Sequence, residues 1–165
     1  MDILKQYLPL CWLENNPLEL PRSVDFFKKN LLFYFIVEYL MQANMTDDPF
    51  ESFIEVGIET LLMLMFIGAM LFVNKTLYAY IQVVTAILVC ANVVALFIVP
   101  VIIWLTISES PLSYYFFGLL LLWDYALVTH IFKQSLSINL FASLALSLLY
   151  FIATYLGAFA LGQLL

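Results

Sequence analysis

The sequence predicts an all-α, polytopic integral membrane protein with five transmembrane helices behind a short amphipathic head. Three observations predict it. Of the 165 residues, 65% are hydrophobic and only 11% charged, with a mean hydropathy of +1.02, whereas soluble domains carry roughly 45–50% apolar and about 25% charged residues. Long apolar runs recur between short polar breaks. A membrane-crossing helix needs about 20 such residues, so the chain has room for about four to six and none for a separate soluble domain. Finally, the basic residues all fall in alternate breaks.

Residues 1–23 form the head. Ile3, Leu4, Tyr7, Leu8, Cys11 and Trp12 recur at spacings of three and four, which is one face of a helix. The helix is too short to cross a bilayer. Its Trp suits a membrane interface, and a short helix packed on the rest of the protein fits equally well. Asp2 and Lys5 interrupt its apolar positions and no small-residue cleavage site follows, so no signal peptide is expected. In Asn16-Pro17-Leu18-Glu19 the order of N-cap, N1 proline and N3 acid marks a helix start.

Residues 24–165 form the transmembrane domain. Its first span is expected over 24–45, although the purely apolar part, 31–37, is short. Lys28 and Lys29 are placed to snorkel at one end, and Glu38 lies inside. The second span, 49–73, follows a capping pattern of Asp48, Pro49 and Glu51. The third, 77–106, contains Pro100, which removes a backbone donor and should bend it. Ser110 and Pro111 open the fourth, 112–132. Lys133-Gln134-Ser135 is expected to turn the chain into the fifth, 137–162.

Charge orients the bundle. With the N-terminus inside, the inner segments 1–30, 74–76 and 133–136 hold Lys5, Arg22, Lys28, Lys29, Lys75 and Lys133, which are all six basic residues. The outer loops 46–55 and 107–111 hold Asp47, Asp48, Glu51, Glu55 and Glu109 instead. The positive-inside rule asks for this asymmetry. It puts the N-terminus in the cytoplasm and the C-terminus outside, as expected for a bacterial inner membrane. A four-span alternative, with 24–45 lying on the surface, puts Lys28 and Lys29 opposite Lys75 or breaks the pattern elsewhere, and ranks second. The net charge of −6 with scattered cations excludes a nucleic-acid surface.

Three polar residues fall at a common depth. Asp124 lies twelve residues after Leu112 and nine before Lys133; Glu38 lies nine after Lys29, and Asn92 fifteen into the third span. At 1.5 Å per residue all three sit near the middle of a bilayer. A charge there costs about 2.5–3.5 kcal/mol on insertion scales. No Lys or Arg lies deep enough to pair with these carboxyls. They are expected as neutral acids hydrogen-bonded to a neighbour such as Asn92, Thr85, Tyr39 or Tyr125. Such a cluster serves either as glue between helices, at about 1 kcal/mol per hydrogen bond, or as a path for protons or cations.

Other candidates are weaker. His130, the sole histidine, sits one turn before Lys133 and has no partner for a metal or catalytic site. The acidic outer loop offers oxygen ligands but lacks the glycine and fixed spacing of a dedicated cation site. Cys11 and Cys90 make no metal spacing, and no disulfide is expected. Small residues at four-residue spacing, Ser143 and Ser147, Ala153 and Gly157, Ala158 and Gly162, let helix backbones approach closely, within the chain or between chains. No phosphate loop, zinc motif or nucleophile elbow is present, so no enzyme, cofactor or metal is expected.

Several stretches resemble the Yip1-domain superfamily of small five-span membrane proteins, in particular its bacterial members. They are Pro17-Leu18-Glu19-Leu20-Pro21 before the first span, Tyr80-Ile81-Gln82-Val83-Val84-Thr85 opening the third, and Val99-Pro100 late in it. Leu120-Leu121-Leu122-Trp123, the turn Lys133-Gln134-Ser135-Leu136-Ser137 and the small-residue-rich last span complete the pattern, which covers most of the chain. The resemblance implies a non-enzymatic role in membrane organisation or in partnering other membrane proteins. The short head departs from the eukaryotic members and argues against a Rab-GTPase partner. The expectation is therefore a scaffold or accessory subunit that packs, within the lipid bilayer, against other membrane proteins or itself. The alternative is a small proton-linked transporter or channel using Glu38 and Asp124. The orientation is testable by labelling single cysteines: one placed at Ser108 reacts from outside and one at Thr76 from inside, and the reverse pattern overturns it.

Overall fold

The computed structural model describes residues 2–44, 48–108 and 110–163, and within them every regular element is helical. The helices are α1 (Asp2–Tyr7), α2 (Val24–Ala43), α3 (Pro49–Val73), α4 (Tyr80–Ile107), α5 (Pro111–Leu136), α6 (Leu140–Phe151) and α7 (Gly157–Gly162). Short 3₁₀ turns at Leu8–Trp12, Pro17–Glu19 and Leu77–Ala79 join them, and a π-helical turn, Ile152–Leu156, fuses α6 to α7. Met45, Thr46, Asp47 and Glu109, assigned above to a helix end and the outer loops, lie outside the described residues.

Four helices are long and apolar enough to cross a membrane: Pro49–Val73, Leu77–Ile107, Pro111–Leu136 and Leu140–Gly162. The expected fifth span over 24–45 is not among them. Although α2 is 20 residues long, it carries Asp25, Lys28, Lys29 and Glu38, and its apolar run is too short for a hydrocarbon core about 30 Å thick.

The head and α2 both pack along α4. At the head, Gln82 Nε2 donates to the carbonyls of Leu18 (3.2 Å) and Leu20 (2.8 Å), and Cys11 meets Cys90. Helix α2 packs farther along α4, where Asn92 Nδ2 donates to the Asn30 carbonyl at 3.2 Å. It ends where Val37, Met41 and Asn44 share a groove with Val99 and Ile102. Tyr7 closes the joint. It is wholly buried, its ring packs on Phe26, and its hydroxyl donates to the Pro21 carbonyl at 3.0 Å.

With the head, α2, α3 and α5 around it, α4 is the central helix. Its residues Val83, Val84, Thr85, Ala86, Ile87, Leu88, Val89 and Cys90 are all buried, as a helix apolar on every side requires. It continues through Pro100 to Ile107 as one helix. The outer surfaces carry exposed apolar side chains such as Met65, Phe72, Leu122 and Phe141. In hydrocarbon such a surface is matched rather than exposed.

The helix ends follow local chemistry. Asp48 Oδ1 accepts from the backbone N–H of Phe50 (2.8 Å) and Glu51 (3.4 Å), with Pro49 at the first helical position. Asn16 caps its 3₁₀ turn by accepting from Leu18 N–H, and Asn139 caps α6 by accepting from Ala142 N–H. One expected break is displaced. Lys133, Gln134 and Ser135 belong to α5, because Ile131, Phe132, Ser135 and Leu136 are buried on a shared helical face. The turn falls at Ser137, which adopts a left-handed backbone with φ 53°.

Candidate functional site

At mid-height the bundle encloses a cavity of about 50 Å³. A water needs at least about 10–15 Å³ of such space, so the cavity has room for a few waters and not for a metabolite. Helix α4 offers it a wall of Ala91, Val94, Ala95 and Ile98. The small side chains of Ala91 and Ala95 leave the space open, and the polar groups come from the helices opposite. These are Tyr34 and Glu38 from α2, Asp124 from α5, and Tyr150 and Tyr155 from the last span. No Lys, Arg or His lines it.

Glu38 and Asp124 thus face one another's space from two helices. The described residues hold no group of three or more His, Cys, Asp or Glu able to bind a metal ion. Asp124 Oδ1 is buried and has no hydrogen-bond partner among the described residues. The two carboxyls share one apolar enclosure, so a proton gained or lost at one changes the cost of charge at the other. Asp124 also borders a second space, an outward-facing groove of about 400 Å³ between α5 and the last span. Leu121, Asp124, Phe151 and Tyr155 line both. Asp124 therefore stands in the partition between interior and periphery. The π-helical turn Ile152–Leu156 carries Tyr155 of that partition; single π turns inside α-helices recur at functional sites.

The sequence analysis missed a third carboxyl. Glu59 of α3 is 5% exposed, and its Oε1 accepts from the Tyr34 hydroxyl at 2.8 Å, directly behind the cavity wall. Its position, ten residues after Pro49 in a 25-residue helix, carries the same mid-span signal that singled out Asp124. Glu55, assigned above to the outer loop, is one turn before Glu59 on the same face. It is buried in α3 and accepts from Gln42 Nε2 of α2. Gly162 lies against it, so close that a Cβ there would sit 2.9 Å from Glu55 Cγ.

Asn92 is not part of the carboxyl cluster. One residue turns an α-helix by about 100°, so with Ala91 facing the cavity, Asn92 faces the start of α2 and donates to Asn30. The other expected partners are also engaged elsewhere. Tyr125 donates to the Leu144 carbonyl at 2.7 Å, Thr85 to the Ile81 carbonyl, and Tyr39 packs edge-on against Phe53. His130 Nε2 lies 3.1 Å from the Asn15 carbonyl and ties α5 to the head.

The small residues of the last span fall on its inner side. Ser143 and Ser147 are wholly buried and Ala158 nearly so, while Ala153, Gly157 and Gly162 are half-buried. A Cβ on Gly157 would come 3.1 Å from Leu62 Cδ1 of α3.

No family model, curated protein or solved structure matches the chain. Tyr34→Phe removes the donor to buried Glu59. It is expected to lower stability by about 1–3 kcal/mol in reversible detergent unfolding, and an unchanged midpoint contradicts the pairing.

Proposed function

We propose that this protein is a proton-linked transporter or channel of the membrane, with Glu38 and Asp124 as its proton-binding groups. The observation that carries the reading is two carboxyl groups from different helices facing one interior cavity with no basic side chain in its lining. Structural ion pairs are balanced by a cation. A carboxyl pair without one is balanced by a proton, which the surrounding tyrosines can pass on or hold. The volume of about 50 Å³ favours protons and water over a solute. The place of Asp124 in the partition supports a route toward the groove beside Tyr155.

In this reading the head and α2 together make a broken fifth crossing, with the N-terminus cytoplasmic and the C-terminus outside in a bacterial inner membrane. The distribution of lysines supports that orientation. Polar segments tolerated at membrane depth are those packed in protein, and the contacts of the head with α4 and α5 meet that condition.

A second reading, a non-enzymatic scaffold or accessory subunit, is favoured by a different observation. An apolar groove of about 360 Å³, lined by Val37, Leu40, Met41, Val99, Ile102 and Ile103, runs between α2 and α4. It is shaped to take an apolar segment of another membrane protein. The Yip1-like pattern of the sequence leans the same way.

Proteoliposomes loaded with a pH-sensitive dye separate the two. Under an imposed potassium diffusion potential, the wild-type protein is expected to carry protons. Asp124→Asn and Glu38→Gln are expected to bring the flux to the level of protein-free vesicles. If the wild type carries none, and Asp124→Asn instead abolishes co-purification with a membrane partner in mild detergent, the accessory reading replaces the transport reading.

A further inference from the structure

Cys11 lies in the 3₁₀ turn Leu8–Trp12 of the head and Cys90 in the centre of α4. Both are free thiols, each 1% exposed, with their sulfurs 3.7 Å apart across 79 positions of sequence. A disulfide needs a separation of about 2.05 Å, so an approach of about 1.7 Å closes the bond. Hydrogen bonds hold the head against α4 and α5 around the pair. Trp123 Nε1 donates to the Cys11 carbonyl at 3.2 Å, Gln82 binds Leu18 and Leu20, and His130 holds Asn15. The chain has no third cysteine, and its sole histidine is engaged with the head. The chemistry open to the site is therefore that of two thiols and not of a metal centre.

We propose that Cys11 and Cys90 are an oxidisable thiol pair whose disulfide staples the head to the central helix. The oxidant class is a peroxide. The Cys11 sulfur attacks one oxygen of hydrogen peroxide, the O–O bond breaks, and water leaves once the thiol proton is transferred, giving a sulfenic acid at Cys11. The Cys90 sulfur then attacks the Cys11 sulfur, the S–O bond breaks, and the hydroxyl leaves as a second water with the Cys90 proton. Two thiols and one hydrogen peroxide give one disulfide and two waters. Cys11, though itself as buried as Cys90, acts first because its short turn ends at exposed Trp12, whereas Cys90 lies within the buried stretch of α4. The staple matters for the bundle because the Cys11 carbonyl anchors Trp123, the residue preceding Asp124. Oxidation therefore restrains the segment that carries the cavity carboxyl.

The test uses the full chain, folded in mild detergent. It is titrated with hydrogen peroxide, quenched with an alkylating reagent and digested for mass spectrometry. The expected result is a peptide pair joined through Cys11 and Cys90 within a monomer, with alkylation falling from two thiols to none and returning with dithiothreitol. In Cys90→Ser, the sulfenic acid of Cys11 is expected to persist and be captured by dimedone. Accumulation of sulfinic acid at Cys11 in the wild type while Cys90 stays alkylatable overturns the proposal. So does a crosslink that forms only after unfolding.

Discussion

The cost of keeping carboxyl groups inside an apolar bundle governs the rest of this structure. Among the described residues no Lys, Arg or His lines the cavity that Glu38 and Asp124 face, and a charge in hydrocarbon is expensive on any scale. The bundle meets the cost with arrangement. Glu59 turns inward and accepts from Tyr34. Glu38 and Asp124 face a small space walled by Ala91 and Ala95 of α4, and Asp124 also borders the groove beside Tyr155. The last span carries a π turn at the level of Tyr155. Alanines on α4 and tyrosines on α2 and the last span make an interior that is neither fully packed nor open.

Helix α4 is the member on which the others depend. A helix buried on all sides must be apolar on all sides, and its stretch from Val83 to Cys90 is so apart from Thr85, whose hydroxyl bonds within its own helix. The head and α2 pack at different levels along it. Asn92 Nδ2 of α4 donates to the carbonyl and the Oδ1 of Asn30 within α2, while its own Oδ1 is buried without a partner among the described residues. Because the head touches both α4 and Trp123, its position is mechanically linked to the helix that carries Asp124. This is why a thiol pair in the head bears on the cavity at all.

Much of this was legible in the sequence. Hydropathy and the caps at Asp48 and Asn16 located α3 and the head turn, because both depend on local chemistry. The end of α5 was not legible, since Lys133 and Gln134 look like a turn and only the burial of Ser135 and Leu136 keeps the helix going. The first span was misjudged in kind. An apolar run bounded by Lys29 and Glu38 looks like a short crossing, whereas α2 falls short of one in apolar length and packs against α4 and α3. Asp124 and Glu38 stood out by depth, but depth does not give rotation, and Asn92 fell on the wrong face by one residue. Glu59 was overlooked beside the acidic loop, although its neighbour Glu55 four residues earlier marks a carboxyl face on α3. The approach of Cys11 to Cys90, 79 positions apart, lies beyond any local signal.

The account rests on Asp124 exchanging a proton within the bundle. Infrared difference spectroscopy of the reconstituted protein, stepped in pH, reads that exchange directly through the carbonyl stretch of a protonated carboxyl and the paired carboxylate bands. The account predicts a band pair that Asp124→Asn deletes and that Glu38→Gln shifts, because the two groups share one cavity. Identical difference spectra for the wild type and Asp124→Asn would contradict it.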